Sequence, residues 1–229
     1  MKKRILELTM AALLLVCAYL LSREGALAAH SGAAEEAAVV VVDAGHGGVD
    51  PGKVGVGEVE EKKLNLEIAR MVQKKLEKSG CTVVMTRETD KGLYSENSQN
   101  KKVEDLQKRC DLIHEVQPAC VVSIHQNSYP EESVSGAQTF YYEHSAEGKA
   151  LAEAIQTALV EGVDPENHRQ AKSNTTYYLL KKTDAPLTIV ECGFLSNPEE
   201  AELLQQEEYQ EKIAAAIAKG VETYLENRK

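Results

Sequence analysis

Two hydrophobic patterns alternate along residues 38–227. Short apolar runs at 38–43, 81–86, 119–125, 136–142, 175–181 and 187–191 predict six strands. Between most of them the apolar positions recur about every four residues, as on one face of a helix. Leu64, Ile68, Val72 and Leu76 form one such stripe, closed by Gly80, and Val103, Leu106, Cys110 and Ile113 form a second. A third runs through Leu151 and Ile155 beside Ala150, Ala154 and Ala158, and the last through Tyr209, Ile213, Ile217, Val221 and Leu225. The first and third runs are uniformly apolar, as expected of strands covered on both faces. Strands alternating with helices therefore predict a single α/β domain built on a mainly parallel sheet. Two polar stretches, 87–102 and 162–174, read as long loops of the kind that form lids or contact sites.

The first 28 residues stand outside this pattern. Lys2, Lys3 and Arg4 precede an apolar run from Met10 to Leu21, and Ala26 and Ala28 supply an A-x-A cleavage signature. The segment reads as an export signal cleaved after Ala28, with an uncleaved N-terminal membrane anchor as the alternative; the apolar run is shorter than the roughly 20 residues of a comfortable span. Residues 29–229 carry 22 basic and 34 acidic groups, a net charge of −12. That field makes nucleic acid and anionic membranes poor partners, so membrane contact is expected only through the N-terminal segment. A substrate bearing carboxylates needs local Lys or Arg to offset it. Cys81, Cys110, Cys120 and Cys192 lack the paired spacing of a disulfide framework or zinc ribbon, and Cys81 and Cys120 read as small buried hydrophobes.

In open α/β sheets, ligands gather beyond the carboxyl ends of the strands. The first run ends at Asp43 and delivers His46 on a glycine-rich loop, the third delivers His125, and the sixth delivers Glu191. Glu58, Glu60 and Glu61 fall where the first helix begins. Two imidazoles and one carboxylate suit a catalytic zinc whose fourth position is left to water, on which a further carboxylate acts. Singly, each has a plainer role: a turn residue, a strand-end histidine, a helix-dipole acid, a buried carboxylate. Their joint placement is what points to chemistry. The glycines match neither the dinucleotide fingerprint nor the P-loop, and HExxH and G-x-S-x-G are absent. His30, His114, His144 and His168 read as structural or exposed, with a substrate-cleft position as the alternative for His144 and His168.

Taken together, "VVDAGHGG", "EKKLNLEIA", "VVMTRETD", "VVSIHQNS" and "IVECGFLSNPEE" resemble the zinc-dependent N-acetylmuramoyl-L-alanine amidases of type 3, from about residue 38 to the C-terminus. "KKVEDLQKRCDLI" and the module-free architecture are similar to the germination-specific, spore-cortex branch of that family. The resemblance implies a catalytic domain over residues 38–227 with a twisted, largely parallel six-stranded sheet. It also implies Zn2+ held by His46, Glu61 and His125, with Glu191 as the catalytic acid/base. Lys62, Asn65 and Leu66 align the second motif on Glu61 rather than Glu60.

The implied reaction is hydrolysis of the amide between N-acetylmuramic acid and L-alanine in peptidoglycan, outside the cytoplasm, in the wall or between the membranes of the developing spore. Removing stem peptides from cortex prepares muramic acid for a deacetylase and for δ-lactam formation, and a helper lipoprotein is a further implied partner. Arg87 reads as a contact for a stem-peptide carboxylate or, equally, as a surface ion pair. Asp43 reads as an acceptor orienting an imidazole or as a turn residue. Three rivals remain: a vegetative wall-remodelling amidase, a carboxypeptidase or other peptide amidase, and an inactive peptidoglycan-binding adaptor.

Overall fold

The computed structural model describes residues 37–228; the signal or anchor reading of residues 1–28, and His30, lie outside the described residues. Consecutive valines build β1 (Val39–Ala44), where Val40, Val41 and Val42 expose nothing, because β-branched side chains suit a strand buried on both faces. It pairs in parallel with β2 (Thr82–Met85) on one side and β3 (Cys120–Asn127) on the other. β3 pairs in parallel with β6 (Leu187–Phe194). β6 meets β4 (Gln138–Tyr142) antiparallel, and β5 (Lys172–Asn174) closes the edge parallel to β4. The order β2-β1-β3-β6-β4-β5 is the expected six-stranded, mainly parallel sheet.

Helices α1 (Glu61–Lys78), α3 (Ala146–Gly162) and α6 (Glu207–Asn227) cover one face. The stripe of Leu64, Ile68, Val72 and Leu76 is buried there in one cluster with Val40, Val42, Ile213 and Ile217. The other face carries α2 (Lys101–Val116) and the short α4 (Tyr178–Lys182), which bury Cys110, Ile113, Leu179 and Leu180 against Val41, Val121 and Ile189. A one-and-a-half-turn helix, α5 (Pro198–Leu203), follows β6 and is capped by the Asn197 side chain. Cys110, Cys120 and Cys192 are buried, Cys81 is half-buried, and all four are free.

The strand expected at 175–181 is not one. Asn174 Oδ1 accepts the backbone N–H groups of Thr176 (2.7 Å) and Tyr177 (2.8 Å), a turn that stops β5 after three residues. The chain then enters α4, where the consecutive Leu179 and Leu180 are both buried, which a strand with one covered face does not permit. The strand order sets the carboxyl ends of β1, β3 and β6 side by side. Because the chain leaves β1 toward β2 on one side and returns to β3 on the other, a crevice opens at that edge.

Candidate metal centre and active site

Four side chains reach this edge from four elements. His46 follows β1 by two residues, Glu61 opens α1, His125 lies in β3, and Glu191 lies in β6 in register with His125. His46 Nε2 is 3.2 Å from Glu61 Oε2, and His125 Nδ1 is 3.0 Å from Glu61 Oε1. One ligand atom from each of His46, Glu61 and His125 lies within 4.8 Å of the others. Glu61 is further fixed by the backbone N–H groups of Lys53 (2.8 Å) and Gln126 (3.1 Å) and by Asn65 Nδ2 (3.3 Å). Burial raises the Glu61 carboxyl, but hydrogen bonds from His125 and His46 outweigh it and hold the group well below the usual carboxylate range. Two imidazole nitrogens and one buried carboxylate are a donor set that fits zinc.

Glu191 is 7% exposed, and its Oε2 is buried without a hydrogen-bond partner. Burial pushes its carboxyl up to about 7, against the pull of His125. Its Oε1 lies 3.5 Å from the Tyr177 hydroxyl, a neighbour hidden from the sequence by the mistaken strand at 175–181. Cys192, next in β6, is fully buried, and burial pushes its thiol far above its ordinary value, so it is no nucleophile.

His46 adopts a left-handed backbone (φ 61°), a conformation that costs about 1–2 kcal/mol for a residue with a side chain. Arg109 Nη2 offsets this by donating to the His46 carbonyl at 2.6 Å. The imidazole is oriented by Asp50, whose Oδ2 is 2.9 Å from Nδ1. Asp43 does not do this; it lies beneath the loop, bonded to Thr86 Oγ1 (2.7 Å), Ser123 and Arg109. The aspartate four residues after the histidine, in "GHGGVD", is the signal that could have found Asp50.

Arg87 is likewise not where the sequence suggested. It is 4% exposed and donates to the carbonyls of Ala44 (2.9 Å), Thr89 (3.1 Å), Gly45 (3.0 Å) and Lys62 (2.8 Å). It clamps the glycine loop to α1 and offers nothing to a substrate carboxylate or a surface partner. The 87–102 loop packs on the same glycines: the Val49 and Gly48 N–H groups donate to Tyr94 Oη (2.8 Å) and Asp90 Oδ1 (3.2 Å), and Lys62 Nζ donates to Asp90 Oδ2 (2.9 Å).

The bareness of the loop has a steric cause. A Cβ on Gly45 would sit 2.3 Å from His125 Nε2, and one on Gly52 (φ +70°) would sit 2.4 Å from Glu61 Oε2. Gly45→Ala is expected to push the His125 ring off Glu61, lowering stability by about 1–3 kcal/mol. Chemical denaturation together with the histidine NMR signals checks it; an unshifted His125 signal would contradict the packing.

Comparison with known proteins follows the same lines. Residues 40–223 match the family model for N-acetylmuramoyl-L-alanine amidase. The germination-specific N-acetylmuramoyl-L-alanine amidase of Bacillus subtilis (strain 168) is 40% identical over 190 residues, covering 82% of this chain and 79% of that protein. The N-acetylmuramoyl-L-alanine amidase LytC of the same organism is 33% identical over 188 residues, covering 81% of this chain but only 35% of its own length. The CwlD amidase of Clostridioides difficile, solved in complex with the GerS lipoprotein, aligns with a TM-score of 0.81 and 40% identity over 83% of this chain and 99% of its own. With fold, motif order and overall likeness in agreement, the chain belongs to the N-acetylmuramoyl-L-alanine amidase family and is a cell-wall amidase.

Proposed function

We propose that residues 38–227 form a zinc-dependent catalytic domain that strips stem peptides from spore-cortex peptidoglycan, with His46, Glu61 and His125 as zinc ligands and Glu191 as the catalytic acid/base. The observation that carries this reading is the convergence of three ligand atoms within 4.8 Å, next to a buried carboxylate with one unpartnered oxygen. When bound, zinc supplies Lewis acidity, polarising a carbonyl and making water a stronger acid. Glu191, held near neutrality by burial, takes a proton from the attacking water and returns it to the departing amine. Asp50 keeps the Nε2 of His46 turned toward Glu61, while Asn65 and the Gln126 N–H fix the Glu61 carboxylate. Attack by water needs no covalent intermediate.

The 40% identity to a germination-specific amidase supports cortex over vegetative wall as the substrate. The GerS lipoprotein bound to CwlD supports a helper lipoprotein here, and on the proposed cortex role a muramic acid deacetylase would act on the product. The likeness to cell-wall amidases implies action outside the cytoplasm, with residues 1–28 as the export signal or anchor. Among the described residues no helix is long and apolar enough to cross a membrane. Mass spectrometry of soluble products from spore-type peptidoglycan tests the reading. Peptides beginning at L-alanine are expected, suppressed by chelator and restored by zinc. Peptides beginning at any other residue would overturn the assigned bond, and chelator-resistant release would overturn the metal.

A further inference from the structure

The net charge of −12 on residues 29–229 repels any anionic part of the substrate unless a cation is built in near the scissile bond. Arg87 is committed to backbone carbonyls, but the sheet supplies another candidate. The registers of β3, β6 and β4 set His125, Glu191 and Gln138 in one row, and directly opposed residues of neighbouring strands project to the same face. Arg169, from the loop between α3 and β5, donates from Nη1 to Gln138 Oε1 at 3.2 Å and from Nε to the Ser135 carbonyl at 2.7 Å. Its guanidinium lies 4.8 Å from the centroid of the Phe194 ring, itself buried, and its backbone N–H is held by Asn167 Oδ1 at 3.0 Å. The group is therefore fixed before any ligand arrives, as suits a planar, two-pronged receptor for a carboxylate.

No side chain among the described residues occupies that receptor. Among the described residues no carboxylate lies within 4.0 Å of Arg169 and its Nη2 has no hydrogen bond; burial raises the carboxyl of the nearby Glu200 against the lowering pull of the Arg169 charge, but its oxygens are bonded to the Gly136 and Phe194 N–H groups at 2.9 and 2.8 Å rather than to the guanidinium. With strands about 4.8 Å apart, the row places the guanidinium within about 10 Å of Glu191. N-acetylmuramic acid, its lactyl carboxyl tied up in the scissile amide, is neutral, so the substrate's carboxylates belong to the peptide. The residue after L-alanine occupies the stretch from about 3.5 to about 7 Å of extended chain beyond the cleaved bond, within that reach. We propose that Arg169 is a specificity-determining residue whose free edge receives the α-carboxylate of the stem-peptide residue following L-alanine. This rests on the reading of Glu191 as the group acting at the scissile amide.

The test uses the zinc-loaded, full-length protein and two matched sets of glycan fragments, whose L-alanyl-glutamate stems carry the glutamate α-carboxyl either free or amidated. The wild-type protein is expected to cleave the free form with about tenfold higher kcat/KM, the difference lying in KM, since a charge-assisted pair at a half-exposed site is worth about one decade. Arg169→Met is expected to bring the ratio close to one by raising KM on the free form, and Arg169→Lys to keep part of the preference. A wild type that does not distinguish the two sets overturns the proposal without any variant, and so does an unchanged ratio in Arg169→Met. Cleavage of neither set would instead overturn the reading of the reaction itself.

Discussion

Glu191→Gln is expected to lower kcat on peptidoglycan by about 10²- to 10⁴-fold, the usual share of a general acid/base, while the purified protein still carries zinc. Glutamine keeps the shape and the Tyr177 contact but cannot accept a proton from water or return one to the amine. The carboxyl it replaces sits in a dry site that pushes it up to about 7, with one oxygen unpartnered, so the neutral amide should not lower thermal stability. Turnover, metal content and melting temperature read the three consequences separately. Wild-type turnover in this variant would remove Glu191 from the mechanism; loss of zinc would make it a ligand instead.

Arg109→Met is expected to cost about 3–5 kcal/mol of folding stability, because it leaves a buried charge without its partner. Arg109 is 1% exposed and ties together Asp43, Asp105 (2.6 Å), the Ala44 carbonyl (2.8 Å) and the His46 carbonyl (2.6 Å). Burial raises the Asp43 carboxyl, but Arg109, helped by Ser123 and Thr86, more than offsets this and holds it at about 2. A folded pKa below the unfolded one gives stability that is complete above about pH 4 and is lost as the pH falls through about 2. Without Arg109 the burial effect prevails, so the variant's deficit should be largest near neutrality and shrink toward acid. Urea denaturation at pH 7 and pH 4 measures this, and adding Asp43→Asn to Arg109→Met should recover part of the loss. A pH-independent deficit would mean that packing, not charge, is what Arg109 provides.

The uneven legibility of this protein follows from where each kind of information resides. Periodicity sufficed for β1, β3, β6 and the stripes of α1, α2 and α6, because burial on one or both faces repeats at 2.0 or 3.6 residues whatever the rest of the chain does. It failed at 175–181, where a tyrosine-rich run looks strand-like until the Asn174 side chain captures two backbone N–H groups. His46, Glu61, His125 and Glu191 were legible as a group because the end of a strand or the start of a helix is a local property, and such ends face one edge of a parallel sheet.

By itself, then, the sequence determined the α/β class, five of the six strands, the apolar stripes and the four polar side chains set at element ends. Only the tertiary structure decided that β3 lies between β1 and β6, that Asp50 rather than Asp43 orients His46, that Arg87 clamps a loop, and that Tyr177 and Arg169 flank Glu191 and Gln138. The physical reason is range. Burial patterns accumulate along the chain and can be counted there, whereas a hydrogen bond is made only when two groups come within about 3 Å, and the distance between residues 42 or 63 positions apart is set by the packing of the whole sheet.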